Sequence, residues 1–174
     1  ANAGMPYSWL DDNEGLLVKM LPKDRQALID EEEAVPSGPI VTSSDGQISQ
    51  NRTYQDLLKN KVDETNFETL MTSSLYTVNL DGSQNKWKDK DLHQSFSLSP
   101  NGEYVLLNTI TPPYSYLVPY YMFPVKTEIY SIDGELVTEF NQSPLLENLP
   151  IGFMATQKGR RNISWRADKP ATRS

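Results

Sequence analysis

The stretch "SLYTVNLDGSQNKW" at residues 74–87 contains the clearest fold signal in the chain. Apolar and polar residues alternate up to Leu80, an Asp-Gly pair follows at 81–82, and a second run leads to Trp87. Alternation with a period of two is typical of a half-buried β-strand. Asp-Gly between two such runs is the strongest short signal for a hairpin. The stretch therefore predicts two antiparallel strands joined by a tight turn.

Three further stretches carry the same kind of pattern. Each has a turn signal between two runs of strand-forming residues. The signal is an Asp/Asn/Gly group within residues 7–20, Pro-Asn-Gly within residues 95–108, and Asp133-Gly134 within residues 128–140. Two consecutive hairpins make a unit of four antiparallel strands. A repeated unit of this kind is the blade of a β-propeller. The fold class that we predict is all-β with a small helical insertion.

The units begin alike. Aligning Ser8-Trp9 with Ser97-Leu98 and Ser164-Trp165 brings the turn residues that follow into register. The units lie further apart than the ~40–50 residues of an ordinary blade, so each must contain an insertion. We predict a partial propeller of about two four-stranded blades plus the first strand of a third. Its parts are a blade at 4–87 with a helical insertion at 22–72, a second blade at 88–148 with a Pro/aromatic loop at 111–125, and the start of a third at 149–172.

The two insertions differ in composition. In the first, Thr53 is predicted to cap a short helix and Asp63 a second one. The apolar residues assigned to these two helices are Tyr54, Leu57 and Leu58, then Phe67, Leu70 and Met71. The loop at 111–125 holds four prolines and five aromatic residues. Because proline cannot donate to a sheet ladder, this loop is predicted to be ordered by aromatic packing and not to form a central strand.

Composition excludes several functions. The net charge of −7 disfavours nucleic acid, which requires clustered Lys and Arg. The chain has no cysteine, no apolar run long enough to cross a membrane and no Gly-rich phosphate loop. Its one histidine, His93, is expected to be exposed or at a sheet edge, and no G-x-S-x-G elbow accompanies it. No metal or other cofactor is predicted, and by its own residues the chain is not an enzyme.

One basic cluster interrupts the acidic chain. Within residues 157–166 it comprises Lys158, Arg160, Arg161 and Arg166. Arginine forks bind carboxylates bidentately, so these residues are candidates for binding a carboxylate of a substrate. The alternative is a solvated turn whose arginines pair with nearby acidic residues.

Several longer motifs resemble one family. They are "VPSGP" (35–39), "NRTYQDLLKNKVDETNFE" (51–68), "PYSYLVP" (113–119), Phe123-Pro124, and "LPIGFMATQKGRRNISWRADKPAT" (149–172). With these motifs the chain resembles the β-propeller region of prolyl-oligopeptidase-family serine peptidases, and most closely the glutamyl endopeptidases of plastids and of bacteria, Bacteroides-like organisms especially. One departure is Met122, where the family tends to have arginine before Phe-Pro.

The resemblance implies a longer parent protein. Its hydrolase domain would contain the catalytic residues, and the propeller would limit entry to peptides. This chain would then be a non-catalytic fragment, with residues 1–3 and 173–174 as cloning remnants. The partners would be the hydrolase domain and peptide substrates, the location periplasmic or secreted, and the free strand edges of the fragment would cause dimerisation or higher association. The alternative is a stand-alone propeller-type module that binds or scaffolds proteins.

Overall fold

Two four-stranded antiparallel sheets form the body of the protein. The computed structural model describes residues 5–11, 14–30, 54–147, 159–160 and 163–172. The first sheet contains β1 (Tyr7–Trp9), β2 (Gly15–Met20), β3 (Ser73–Asn79) and β4 (Gln84–Asp91), and the second contains β5 (His93–Leu98), β6 (Tyr104–Ile110), β7 (Val125–Ser131) and β8 (Leu136–Ser143). In both sheets the strands follow chain order. The four predicted hairpins and the all-β class are confirmed.

The two sheets have the same strand register. Equivalent positions are aligned across the first three strands of each sheet. In the first sheet Leu16 pairs with Trp9 on one side and with Val78 on the other. In the second sheet Val105 pairs in the same way with Leu98 and with Tyr130. Side chains alternate between the faces of a strand, so matching registers give matching faces. The sheets are thus two copies of one structural unit, as the alignment of Ser8-Trp9 with Ser97-Leu98 predicted.

The sheets pack face to face around a shared core. That core contains Leu17 and Leu75 of the first sheet and Val105, Leu107 and Tyr130 of the second, all with 3% or less of their surface exposed. Polar contacts also cross the interface. The indole Nε1 of Trp87 donates to the carbonyl of Ile132 at 2.7 Å, and its ring meets Tyr130 edge-on. Packing of this kind buries one face of each sheet.

The only α-helix in the described ranges is α1 (Lys61–Met71), which lies within the first predicted insertion. Its N-cap is Asn60, whose side-chain oxygen accepts from the backbone N–H of Asp63 at 2.9 Å. The prediction that Asp63 caps this helix was therefore wrong by three residues. The earlier helix is also absent, because residues 54–60 are not helical, and its expected cap, Thr53, lies outside the described residues.

The Pro/aromatic loop forms a second core with α1, which confirms that it is ordered by aromatic packing. The ring of Phe67 meets Tyr114 at 5.4 Å and Phe123 at 5.6 Å between centroids, both edge-on. A 3₁₀ turn, Tyr120–Met122, closes the loop. Met122 is buried in this core. In this chain the position that departs from the family pattern therefore contributes to packing and not to an accessible surface.

Part of the predicted third unit is described, and it contacts the second sheet. Trp165 donates from Nε1 to the carbonyl of Ser97 at 3.1 Å. The carbonyl of Pro170 accepts from the backbone N–H of Asn101 at 3.1 Å. Residues 163–172 thus lie beside the start of the second sheet, at β5 and the turn that follows it.

Candidate functional site

Arg166 of the predicted basic cluster is engaged by a neighbouring acid. Its Nε and Nη2 donate to the two carboxylate oxygens of Asp168 at 2.9 and 2.6 Å. The hydrogen bonds to Asp168 raise the pKa of the guanidinium. Both side chains are partly exposed. Asp168 therefore occupies the guanidinium edge of Arg166 that could otherwise bind the carboxylate of a ligand in the same bidentate way.

Arg160 has a different environment. Its Nη1 donates to the carbonyl of Phe140 on β8 at 3.2 Å, and its guanidinium carbon lies 4.5 Å from the centre of the Phe140 ring. Stacking on an aromatic face orients a guanidinium while leaving its outer donors open to solvent. Of the two cluster residues that the structure describes, Arg160 is therefore the one that makes no bidentate pair with a carboxylate of the described residues.

These two arginines are held at opposite edges of the second sheet. Arg160 is fixed to Phe140 on β8, whereas Trp165, next to Arg166, is fixed to Ser97 on β5. Three strand spacings separate β5 from β8, or roughly 14 Å. Lys158 and Arg161 lie outside the described residues. The carboxylate site that we predicted for all four residues stays a prediction.

His93 was predicted to be exposed or at a sheet edge; it lies on an edge strand, but it is buried, with 2% of its surface exposed. It begins the edge strand β5, but its ring lies between polar groups of the interior. Nε2 is 3.0 Å from the carbonyl of Asp89, which can only accept, and Nδ1 is 3.3 Å from the hydroxyl of Thr109. Burial lowers the pKa of the ring. His93 is thus a structural histidine that no substrate could reach.

A cleft of about 330 Å³ opens between the chain after β2, helix α1 and the end of β4. Three threonines line it, two on α1 and one at its C-cap, and their hydroxyls donate to helix carbonyls four residues earlier: Thr65, Thr69 and Thr72. Opposite them lie Arg25 and an ion pair between Asp24 and Lys90. The cleft thus combines hydroxyl acceptors on one wall with charges of both signs on the other.

The wall of this cleft is connected to the Pro/aromatic loop through carboxylates. Glu68, which lines the cleft, accepts from the hydroxyl of Tyr114 at 2.9 Å. One turn earlier on α1, Glu64 accepts from Tyr116 at 2.7 Å. Burial and the Glu68 carboxylate raise the pKa of Tyr114 well above its usual range. These contacts fix the loop to the helix, and any ligand in the cleft would contact a preformed wall.

Sequence reasoning did not find this cleft. Asp24 and Lys90 are 66 residues apart, and no local pattern connects them. The only local feature that could have indicated the cleft was the spacing of the threonines along α1 and its C-cap. Such spacing is common on any solvent-facing helix and so does not predict a cleft. Among the described residues, no group of three His, Cys, Asp or Glu is arranged to hold a metal. No helix in those ranges has the length and apolar character needed to cross a membrane.

Comparison with known proteins relates the chain to two plant proteins, each named "Probable glutamyl endopeptidase, chloroplastic". The protein of Oryza sativa subsp. japonica is 38% identical over 166 residues, covering 95% of this chain. That of Arabidopsis thaliana is 36% identical over 167 residues, again 95% of the chain. No family model and no solved structure matches. This chain spans only 18% and 17% of the length of these relatives. Over nearly its whole length, the chain is therefore homologous to a short part of proteins named glutamyl endopeptidase.

Proposed function

We propose that this chain is a non-catalytic part of a longer serine peptidase of the glutamyl endopeptidase type. Its two sheets would be neighbouring blades of a β-propeller that stands over a hydrolase domain and restricts entry to extended peptides. The observation that carries the proposal is the identity of 36–38% over 95% of the chain to proteins with that name.

The structure supports the propeller part of the proposal through its repeat. Two sheets of equal strand number and order, with matching registers, pack through their faces. Successive four-stranded antiparallel sheets are the repeating unit of propellers. A bacterial source and an exported location stay predictions of the same proposal.

For substrate recognition we propose a role for the basic cluster. Arg160 offers guanidinium donors at the β8 edge of the second sheet. A substrate with a glutamate side chain would supply the carboxylate that these donors fit. Arg166 would take part only by exchanging Asp168 for the substrate carboxylate.

The test is peptide cleavage by the complete gene product. Matched fluorogenic peptides that differ only by Glu or Gln at the cleavage position should show a strong preference for Glu. Arg160→Ala should raise KM for the Glu peptide and leave the Gln peptide unaffected, while Arg166→Ala serves as the comparison. A gene product that ends near residue 174, or one that cleaves neither peptide, would refute the peptidase proposal.

A stand-alone binding module is the second candidate. The apolar residues exposed on the Pro/aromatic loop favour it, since Leu117 and Tyr121 are 59% and 60% exposed. Exposed aromatic side chains are common at protein interfaces. The free fragment would then associate into dimers or larger species through these side chains as well as through the free strand edges already predicted to cause association. Light scattering of the 174-residue chain across a range of concentrations tests this, and a monomer throughout would count against it.

A further inference from the structure

His93 lies where the chain passes from the first sheet to the second, and its ring joins the two. Nε2 is 3.0 Å from the backbone carbonyl of Asp89 on β4, and Nδ1 is 3.3 Å from the hydroxyl of Thr109 on β6. Because β4 belongs to the first sheet and β6 to the second, the imidazole is a polar bridge between the sheets. His93 and Thr109 are both 2% exposed, so water has little access to this bridge.

The partners of the ring fit only the neutral imidazole. A carbonyl can only accept, so Nε2 carries the proton that is donated to Asp89, and Nδ1 is left to accept from the Thr109 hydroxyl. A second proton on Nδ1 would turn the hydroxyl hydrogen of Thr109 away from the ring. The described residues offer that hydroxyl no other hydrogen-bond partner. Protonation of His93 would therefore leave a buried polar group unsatisfied, which is costly.

The charges that face His93 from the first sheet also oppose its protonation on balance. Burial is the main cause that lowers the pKa of the ring, and the positive charges of Lys19 on β2 and Lys88 on β4 lower it further. The carbonyl of Asp89 and the carboxylate of Asp91 act in the opposite direction. The net effect of these groups is a ring that stays neutral where an ordinary histidine would take up a proton.

On the second sheet, the charged residue across from Thr109 in the strand register is Lys126 of β7. Its ammonium is 3.0 Å from one carboxylate oxygen of Glu128. The other oxygen accepts from the hydroxyl of Tyr130 at 3.0 Å. Because both oxygens of Glu128 are engaged in this way, this acid does not offset a positive charge on His93.

Lys19 and Lys88 are themselves contacts between the sheets. Lys19 donates from Nζ to the carbonyl of Gln94 on β5 at 2.6 Å. Lys88 places its ammonium 4.0 Å from the centre of the Tyr130 ring on β7, where a cation is attracted to the aromatic face. A positive charge on His93 would repel both ammonium groups. The polar contacts between the sheets thus depend together on a neutral His93.

We propose that His93 makes the junction of the two sheets an acid-sensitive joint, in which its protonation weakens the bridge to Thr109 and raises the population of molecules whose sheets have separated. Each sheet keeps its own strands, since the ladders within a sheet do not involve the ring. The second core also joins the two units and contains no histidine, so it stays closed and serves as the hinge. Between the ordinary histidine pKa of 6.5 and pH 5.0, one proton shifts the opening equilibrium by at most about thirtyfold, because each pH unit contributes a factor of ten.

Thiol accessibility in the complete gene product tests the proposal, because this chain has no cysteine of its own. Val105→Cys places a thiol in the shared core, where Val105 is completely buried. Val118→Cys is the matched control, since it makes the same change in the second core at a residue that is 4% exposed. Reaction with 4,4′-dithiodipyridine is followed at pH 5.0 and pH 7.5, and mass spectrometry reads each site. The native rate divided by the rate in urea at the same pH gives the opening equilibrium without the thiol's own titration.

We expect this ratio at Val105→Cys to be several-fold larger at pH 5.0 than at pH 7.5, up to about thirtyfold. It should not change with pH when His93→Gln is added, because glutamine keeps an N–H for the Asp89 carbonyl but cannot gain a charge. The ratio at Val118→Cys should be the same at both pH values. Three results would overturn the proposal: equal ratios at Val105→Cys with His93 present, an undiminished increase with His93→Gln, or an equal increase at Val118→Cys.

Lys88→Met replaces His93→Gln if that variant does not fold. Removal of this cation makes the protonation of His93 less unfavourable in the closed form, so the increase at pH 5.0 should be smaller than in the protein with Lys88. An increase of the same size or larger would contradict the proposal. None of these measurements depends on peptide cleavage, so their outcome is independent of the peptidase proposal.

Discussion

Lys19 on the first sheet donates a hydrogen bond from Nζ to the backbone carbonyl of Gln94 on the second, at 2.6 Å. The lysine is only 5% exposed, and burial lowers the pKa of its ammonium group to about 8. The amine of Lys19 therefore lies in the interface between the sheets. Burial there disfavours the charged ammonium relative to the neutral amine more than water does.

The depressed pKa of Lys19 predicts a stability that changes with pH. Between about pH 8 and the ordinary lysine pKa of 10.5, the unfolded state binds more protons at this position than the folded state. The free energy of unfolding should therefore rise with pH across this window through Lys19. Urea titrations at intervals from pH 7 to pH 10 measure it. Lys19→Met should have a flatter profile than the wild type, and identical profiles would contradict the assignment.

Leu75 should be among the most sensitive positions of the shared core. Leu75→Ala removes a completely buried side chain and should lower the free energy of unfolding by about 2–5 kcal/mol. Leu80→Ala makes the same chemical change at a position that is 69% exposed, and it should have little effect. Equal losses for the two variants in urea unfolding would show that the sheets do not share a core at Leu75.

Gly102 should be intolerant of any side chain because it lies against the β1–β2 turn. Its φ is +69°, and a Cβ built there would be 2.4 Å from the Cβ of Asp11. Gly82, with φ +86° and nothing within 4 Å, is the matched control. Both Gly→Ala variants lose about 1 kcal/mol from backbone strain, and Gly102→Ala should lose clearly more. Thermal unfolding of the two variants makes the comparison, and equal midpoints would exclude the contact with Asp11.

The Tyr114–Glu68 bond should stabilise the second core modestly. Tyr114→Phe removes the hydroxyl but keeps the ring against Phe67, so we expect a loss of about 0.5–1.5 kcal/mol. Tyr121→Phe changes a tyrosine that is 60% exposed and should be neutral. Chemical unfolding distinguishes them. A neutral Tyr114→Phe would mean that ring packing alone holds the loop to α1.

The strands and the turns could be predicted from the sequence because their signals are local. Alternation around Asp81-Gly82 and Asp133-Gly134 requires only neighbouring residues, and both hairpins formed as expected. Aromatic ordering of the loop at 111–125 was predictable for the same reason, since its composition excludes a regular strand. The cap of α1 was misplaced because Asn60 and Asp63 are both good N-cap residues, and only the backbone geometry selects between them.

What the sequence by itself determined is thus the inventory of strands, their repeat and the relationship to a named group of plant proteins. Tertiary structure alone decided which face of each sheet is buried, and with it the burial of His93 and Lys19. It also paired Asp24 with Lys90 and separated Arg160 from Arg166 across the second sheet. The physical reason is that burial and ion pairing depend on segments far apart in the chain, while hairpin formation depends on a few adjacent residues.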